Sequence, residues 1–252
     1  MRFLSFLCVM AVATLGQTQA AAASPIDVEL GKSLARFGKL KPGVRHYLRY
    51  KIGTDGVATP MDLQRKEIRF DQQEGQRRLH ILQHWQSATG ALDLDSWFED
   101  KTFRPLTHQR DRTRDATVTR EGFRFLPDRI IGLADQPDNS RKDFEIAAPV
   151  PTFNFEADLE TLQALPLKKG AEFRIVFYHP GGGVPAPYIF KVAGQEKLII
   201  GGSPLDCWVV TTDYNDPKRP IARFWVAKDS QTVVKVVSPQ PDGTTFVKSL
   251  LS

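Results

Sequence analysis

The sequence predicts a mainly β protein built from antiparallel strands and hairpins. The last third, residues 165–251, consists of short runs rich in β-branched and aromatic residues, each bounded by Gly, Pro, Asp or Ser. Upstream, residues 44–52 alternate large apolar and basic side chains, as a strand with one buried face does. Only one internal segment, residues 153–164, has convincing helical periodicity. Helices are therefore expected to be a minor part of the fold.

The N-terminus predicts a secretory signal peptide. Arg2 precedes an apolar run over residues 3–15, and residues 20–23 are all alanine. We expect cleavage within residues 20–23, a signal peptide over residues 1–22 and a single domain over residues 23–252. The apolar run is too short to span a bilayer, and no later run approaches the roughly 20 apolar residues required. The predicted product is periplasmic and has no transmembrane segment.

Cysteine content and charge restrict the function classes. Once the predicted signal peptide is removed, Cys207 is the only cysteine, so no intramolecular disulfide can form. Its neighbours Trp208 and Val209 predict a buried, unreactive side chain. The 34 basic and 29 acidic residues are intermixed and give a net charge of +5, which does not indicate a nucleic-acid partner.

The first half of the chain predicts a short leader helix followed by strands. In residues 26–41, Leu30, Leu34 and Phe37 have helical spacing. Strands are expected over residues 44–52, 64–70, 77–87, 93–100, 102–108, 122–126 and 129–133, with helix as an alternative for residues 77–87. Residues 109–120 are polar and basic, and residues 134–142 have the composition of a surface loop.

The second half predicts one helix and then a series of strands. In residues 153–164, one helical face carries Phe155, Leu159 and Leu162, and the opposite face carries acidic side chains, Glu156, Asp158 and Glu160. Five strands are expected after it, over residues 172–178, 187–200, 207–212, 222–226 and 232–237.

The order of these elements resembles a family of exported bacterial proteins, the domain-of-unknown-function family numbered 3108. The similarity lies in the residue 165–170 turn after the helix, the segment at residues 192–196, the Cys207-Trp208 strand and the run over residues 223–235, together with residues 97–106 upstream. The resemblance implies a curved antiparallel meander that forms an incomplete, half-open β-barrel around one or two short helices. It also implies an outline similar to the carriers that escort lipoproteins across the periplasm. It supplies no catalytic residue, since a fold of this kind hosts many functions.

The sequence shows no catalytic or metal-binding pattern, and it predicts no cofactor. The glycines after His179 lack the Gly-x-Ser-x-Gly elbow of an esterase. His80 and His84 would stand roughly 13 Å apart on a strand, too far to share one ion, and on a helix they would lack a third ligand. Asp93 and Asp95 share a strand face and are expected to be solvated rather than to act as acid and base.

Aromatic side chains are the most suggestive group. A sheet wrapped round one helix would bury most of them, and the others could line a cavity for an acyl chain. The residues we expect to contact such a ligand are Trp85, Trp97, Phe125, Phe190, Trp208 and Trp225. The leading hypothesis is thus a non-enzymatic periplasmic protein that binds a lipid or another hydrophobic or amphipathic small molecule.

A basic segment supports the alternative hypothesis. Arg110, Arg112 and Arg114 alternate within residues 104–120 and could contact an acidic envelope protein, which would make the chain an interaction or structural protein. An enzyme ranks last, because no constellation supports it.

Overall fold

The computed structural model describes residues 24–32 and 34–251. The predicted signal peptide over residues 1–22, with its cleavage point within residues 20–23, lies outside the described residues. Within the described part, no helix is long and apolar enough to cross a membrane.

The fold is mainly β, as predicted, with one short α-helix. The strands in chain order are β1 Ile26–Asp27, β2 Gly43–Ile52, β3 Ala58–Gln73, β4 Gln76–Ser87, β5 Gly90–Glu99, β6 Pro105–Arg114, β7 Thr117–Phe125, β8 Arg129–Gly132, β9 Glu145–Ala147, β10 Phe153–Asn154, β11 Glu172–Tyr178, β12 Ala186–Ile200, β13 Ser203–Thr212, β14 Ala222–Ala227, β15 Val233–Pro239 and β16 Thr245–Leu250. Helix α1 spans Asp158–Gln163, and single 3-10 turns occur at Phe37–Lys39 and Phe155–Ala157.

All the strands belong to one curved sheet whose ends do not pair. From β11 to β16 each strand pairs antiparallel with the next, β16 then pairs with β2, and the meander continues to β9. The short strands β1 and β10 pair parallel with β11. One edge of the sheet is therefore β1 and the other is β9, which confirms the half-open barrel.

One face of the sheet, here called the helix face, packs on α1. Strand residues on this face alternate with residues on the outer face, as the pleat requires. The central core joins Leu159 and Leu162 of α1 to side chains from both halves of the meander, among them Ile68, Phe98 and Phe224. Because α1 and this core occupy the helix face, the concave side of the barrel is filled at that level.

Smaller clusters flank the core. Cys207, Val209, Trp225, Ala227 and Val234 pack together on the outer face of β13 to β15. Cys207 is buried and free, as predicted, and burial raises the pKa of its thiol.

The third cluster joins β11, near one edge of the sheet, to β7 and β8, near the other edge. Tyr178, at the end of β11, packs with Phe123 and Ile130 of β7 and β8. This contact brings the two ends of the curved sheet close to each other without strand pairing.

The strand predicted over residues 77–87 is confirmed, and the helical alternative is excluded. The structure differs from the sequence prediction at two elements. The leader forms β1 and one 3-10 turn instead of a helix, with Leu34 and Phe37 anchored in the core. The final third contains a sixth strand, β16, which follows the turn at Asp242 and Gly243.

The acidic side chains of the internal helix do not share one environment. The α-helix is only six residues long, and Glu160 is buried within the barrel, whereas Glu156 and Asp158 are half-buried. An acidic residue that the sheet encloses needs an internal partner.

Candidate functional site

An ion pair inside the barrel attaches α1 to β3. Lys66 Nζ lies 2.9 Å from Glu160 Oε2, and both side chains are only 1% exposed. Nearby, Gln64 donates a hydrogen bond to Gln83, and Gln83 donates to the Glu156 carbonyl at 2.8 Å. Polar side chains thus fill this part of the interior beside α1, so an acyl chain would find neither space nor apolar surface at that point.

Two further titratable groups lie beside this pair. Burial raises the pKa of Asp158 to about 6, although Lys248 and Lys66 oppose the shift. Burial also lowers the pKa of Lys248 to about 8, and the charge of Lys66 adds to that effect. Hence the barrel interior concentrates charge, with cations from β3 and β16 facing acids from α1.

Aromatic rings cluster at the start of α1. Phe155 stacks on His179 with 3.8 Å between the ring centroids, and it also contacts Tyr188 and Tyr214. His179 Nε2 is 3.2 Å from the Tyr188 hydroxyl, and burial lowers the pKa of His179. His179 therefore packs among rings, which does not give the His179 loop the geometry of a hydrolase site.

A groove of about 850 Å3 lies at the seam between the two edges of the sheet. One wall comes from β1, β11 and the start of β12, and the other comes from the segment after β9. We call it the seam groove; its lining is Asp27, Val28, Glu29, Leu30, Ala147, Pro149, Val150, Pro151, Arg174, Val176, Val184, Pro185 and Pro187.

The seam groove presents mainly apolar side chains between two sheet edges that do not pair. Four of its 13 lining residues are prolines, and a proline lacks the N–H that would extend a strand ladder. Val150 and Val184 are 53% and 72% exposed, so apolar side chains face solvent there. Arg174 and Asp27 form an ion pair that joins β11 to β1 along the same wall.

The structure does not bring the six predicted ligand-contacting aromatics together. Phe190 is fully buried in the core, and Trp208 packs against that core. Trp225 lies in the outer-face cluster, where its indole N–H donates to Glu196 at 2.8 Å. Trp97 stacks on His80, with 3.8 Å between ring centroids.

Two of the six line surface clefts. Trp85 lines a cleft beside Arg49 and Arg112. Phe125 lines a cleft of about 260 Å3 that shares Leu30, Val150 and Pro151 with the seam groove. Ligand contact by these aromatics stays a prediction, and Phe125 is the one that lies next to the seam groove.

The three predicted partner-binding arginines have different surroundings. Arg110 is paired with Glu121, which also accepts from Arg141 at 2.9 Å. Burial opposes the ionisation of Glu121, but the two arginines outweigh it and lower its pKa. Arg112 and Arg114 are exposed and line the same cleft as Trp85.

The histidine and carboxylate candidates pair with each other on the outer face. His80 lies between Asp71 and Asp95, and His84 contacts Asp93 at 2.7 Å. No group of three or more His, Cys, Asp or Glu able to hold a metal ion occurs in residues 24–32 and 34–251.

The residues of the seam groove were not identified from the sequence. Their one local signal is the pair of proline-rich stretches, residues 149–151 and 185–187. Such stretches are typical of ordinary loops, and only the fold places them on opposite sides of one groove.

Comparison with known proteins identifies a family and a fold. A family model described as "Protein of unknown function (DUF3108)" matches residues 49–251. Curated protein sequences contain no significant match. The structure is similar to a β-barrel-like protein of the domain of unknown function DUF1849 from Brucella abortus, at 10% identity and a TM-score of 0.51, covering 84% of this chain and 97% of that one.

Two other solved structures align with lower scores. The hypothetical lipoprotein YmcC from Escherichia coli K12 aligns with 15% identity, a TM-score of 0.29, and coverage of 84% of this chain and 87% of that one. A putative outer membrane lipoprotein-sorting protein domain from Vibrio parahaemolyticus aligns with 10% identity, a TM-score of 0.19, and coverage of 86% and 87%.

Proposed function

The chain belongs to the DUF3108 family, and on that premise we propose that it is a non-enzymatic, exported protein of the cell envelope that binds a hydrophobic or amphipathic ligand in the seam groove. The observation that carries this proposal is an apolar groove of about 850 Å3 between two sheet edges that do not pair. This volume is within the range of small-molecule sites, roughly 300 to 1,000 Å3.

The chemistry of the groove favours an extended apolar group such as an acyl chain. Val150, Val184 and the prolines present carbon surface, while Asp27 and Arg174 satisfy each other. A buried methylene contributes about 0.8 kcal/mol, so eight would supply roughly 6 kcal/mol before the costs of association. A polar head group on such a ligand would remain in solvent at the open side.

The envelope location rests on the sequence. The predicted signal peptide ends at residue 22, and β1, which begins at Ile26, forms part of the groove wall. Export would thus deliver the protein to a compartment where lipids and lipoproteins cross between membranes.

The test is binding of a fluorescent fatty acid to the purified protein and to charge-insertion variants. We expect Val150→Glu and Val184→Glu to weaken binding at least about tenfold, because an acyl chain would have to displace water from a carboxylate. Val57→Glu is the matched control, since Val57 is also exposed, at 59%, and lies on the turn between β2 and β3, outside the groove.

All three variants should melt at the temperature of the wild type, because the substituted side chains are exposed. Equal affinity of the groove variants and the Val57→Glu control would contradict the proposal. So would a protein purified without detergent that binds no envelope lipid by native mass spectrometry after incubation with a lipid extract.

A further inference from the structure

A second cleft lies at the tips of the hairpins β4–β5 and β6–β7. Its lining includes three arginines, Arg49, Arg112 and Arg114, and the indole of Trp85. We propose that this cleft binds a small oxyanion, in particular a phosphate group. The cleft shares no lining residue with the seam groove, so the inference does not depend on the function proposed above.

The floor of the cleft is a fixed stack of cations on an aromatic ring. The Arg49 guanidinium lies 4.2 Å from the centre of the Trp85 ring, and Lys248 Nζ lies 4.7 Å from it. Asp62 accepts from Arg49 through both carboxylate oxygens, which holds the guanidinium plane in place. A positioned guanidinium loses little freedom when it binds an anion.

Two residues that line the cleft carry donors without a partner in the described part of the chain. Trp85 Nε1 is shielded from solvent and makes no hydrogen bond. Arg112 forms no ion pair or hydrogen bond within the described part of the chain. A buried N–H without an acceptor is costly, and a ligand oxygen would remove that cost.

Charge in the cleft is unbalanced. The lining contains three arginines and one acid, Asp62, which is paired with Arg49. Arg114 lies 3.8 Å from Asp115, where both side chains are exposed, so Arg112 is the arginine of the lining that has no acidic partner in the part of the chain that the structure describes.

Lys248, on the Trp85 ring, lies beside the cleft and also faces Asp158 and Glu160 of α1; its pKa is lowered to about 8 by burial and then by Lys66. An anion would relieve this repulsion and would raise the pKa of Lys248.

The size and donor geometry select the ligand class. A cleft of about 210 Å3 has room for one small group such as a phosphate. The Arg49 fork is occupied by Asp62, so the guanidinium of Arg112, which has no partner among the described residues, is the one that presents a fork of N–H donors to the oxygens of phosphate. The phosphate could be inorganic or the head group of a lipid, since both present the same oxygens.

The experiment is a titration with inorganic phosphate at constant ionic strength, followed by the indole N–H resonances of the four tryptophans. A Trp85→Phe variant assigns the resonance. We expect a saturable shift of the Trp85 signal. Arg112→Gln should weaken phosphate binding at least about tenfold, which is typical for losing a charged hydrogen bond.

Arg124→Gln is the matched control, because Arg124 is an exposed arginine on β7 outside the cleft. A Trp85 signal that moves no more with phosphate than with chloride would overturn the inference. Equal binding by the Arg112 and Arg124 variants would overturn it too.

A second measurement identifies the source of the phosphate. If the protein sediments with phosphatidylglycerol vesicles, if added phosphate inhibits this sedimentation, and if the Trp85 signal shifts, the ligand is a lipid head group. The Trp85 shift without vesicle binding supports a soluble phosphate ligand. Vesicle binding without any Trp85 shift contradicts the site.

Discussion

At the scale of single residues, the buried side chain of His80 is placed to make the stability of the protein depend on pH. Its Nδ1 lies 2.8 Å from Asp71 and its Nε2 lies 2.9 Å from Asp95, so both nitrogens can donate only as an imidazolium. Burial and Arg69 oppose the charge, but Asp95 and Asp71 outweigh them and raise the pKa of His80. Trp97 stacks on the His80 ring and shields that face of the imidazole from water.

We predict that His80 stabilises the protein at acidic and neutral pH. Because the folded pKa is above the unfolded value of about 6.5, its contribution is complete below that pH and is lost as pH rises through the folded pKa. His80→Gln should therefore lower the free energy of unfolding at pH of about 5.5 and have a smaller effect at pH of about 8.5. Urea unfolding of the wild type and the variant at both pH values measures the difference in the free energy of unfolding.

His84→Gln is the control for this experiment, since the side chain of His84 is 44% exposed and pairs with one carboxylate, Asp93. A His80 variant whose destabilisation is the same at both pH values would show that the ring acts through packing alone.

The sequence identified His80 and Asp95 as candidates, but neither Asp71 nor the arrangement of the three side chains. His80, Asp71 and Asp95 are far enough apart in sequence that only the register of β3, β4 and β5 places them in contact. The same holds for Lys66 and Glu160, which are 94 residues apart. A buried charge needs a partner, but the sequence does not show which charges become buried.

At the scale of elements, two-residue hairpin turns set the register of the meander. Glu74 and Gly75 join β3 to β4, Asp115 and Ala116 join β6 to β7, and Gly201 and Gly202 join β12 to β13, all with positive φ. Such turns match the right-handed twist of the strands they connect. Ala116, at a φ of 65°, lacks the conformational freedom of glycine.

We predict that Ala116→Gly stabilises the protein by about 1 kcal/mol, because it removes the left-handed strain of a residue with a β-carbon. Ala116 is exposed, so no packing is lost. The free energy of unfolding in urea measures the effect.

Ala91→Gly is the matched control, since Ala91 lies inside β5, where glycine should cost roughly 0.5 to 1 kcal/mol. Destabilisation of both variants would mean that the turn holds Ala116 without strain.

Helix α1 shows how the surrounding sheet changes an element. The amphipathic pattern of residues 153–164 places acidic side chains opposite the apolar ones, but it does not show that the barrel buries Glu160 as the ion-pair partner of Lys66. The pattern identified a helix correctly. The surrounding sheet determined which side chains of the helix are buried, and the pattern does not encode that sheet.

At the scale of the whole molecule, the sheet has longer strands, paired on both sides, in its centre and very short strands at its two edges. The pairing of β16 with β2 joins the C-terminal strands to the N-terminal strands in the middle of the strand order. The ends are β1, with two residues, and β9, with three. The seam groove lies between these ends.

We predict that amides of β8 and β9 exchange with solvent at least on the order of 100-fold faster than paired amides of β2 and β16, because edge strands open without global unfolding. Hydrogen exchange followed by mass spectrometry measures the rates. Uniform protection across the sheet would show instead that the seam opens only when the whole molecule unfolds.

By itself the sequence determined the mainly β character, the positions of most strands and the burial of Cys207, because these depend on local periodicity and turn residues. The tertiary structure decided which face each strand buries, how α1 is enclosed, and that two proline-rich stretches meet across an open seam. Those features depend on the register and curvature of the sheet, which arise from contacts between residues far apart in the chain.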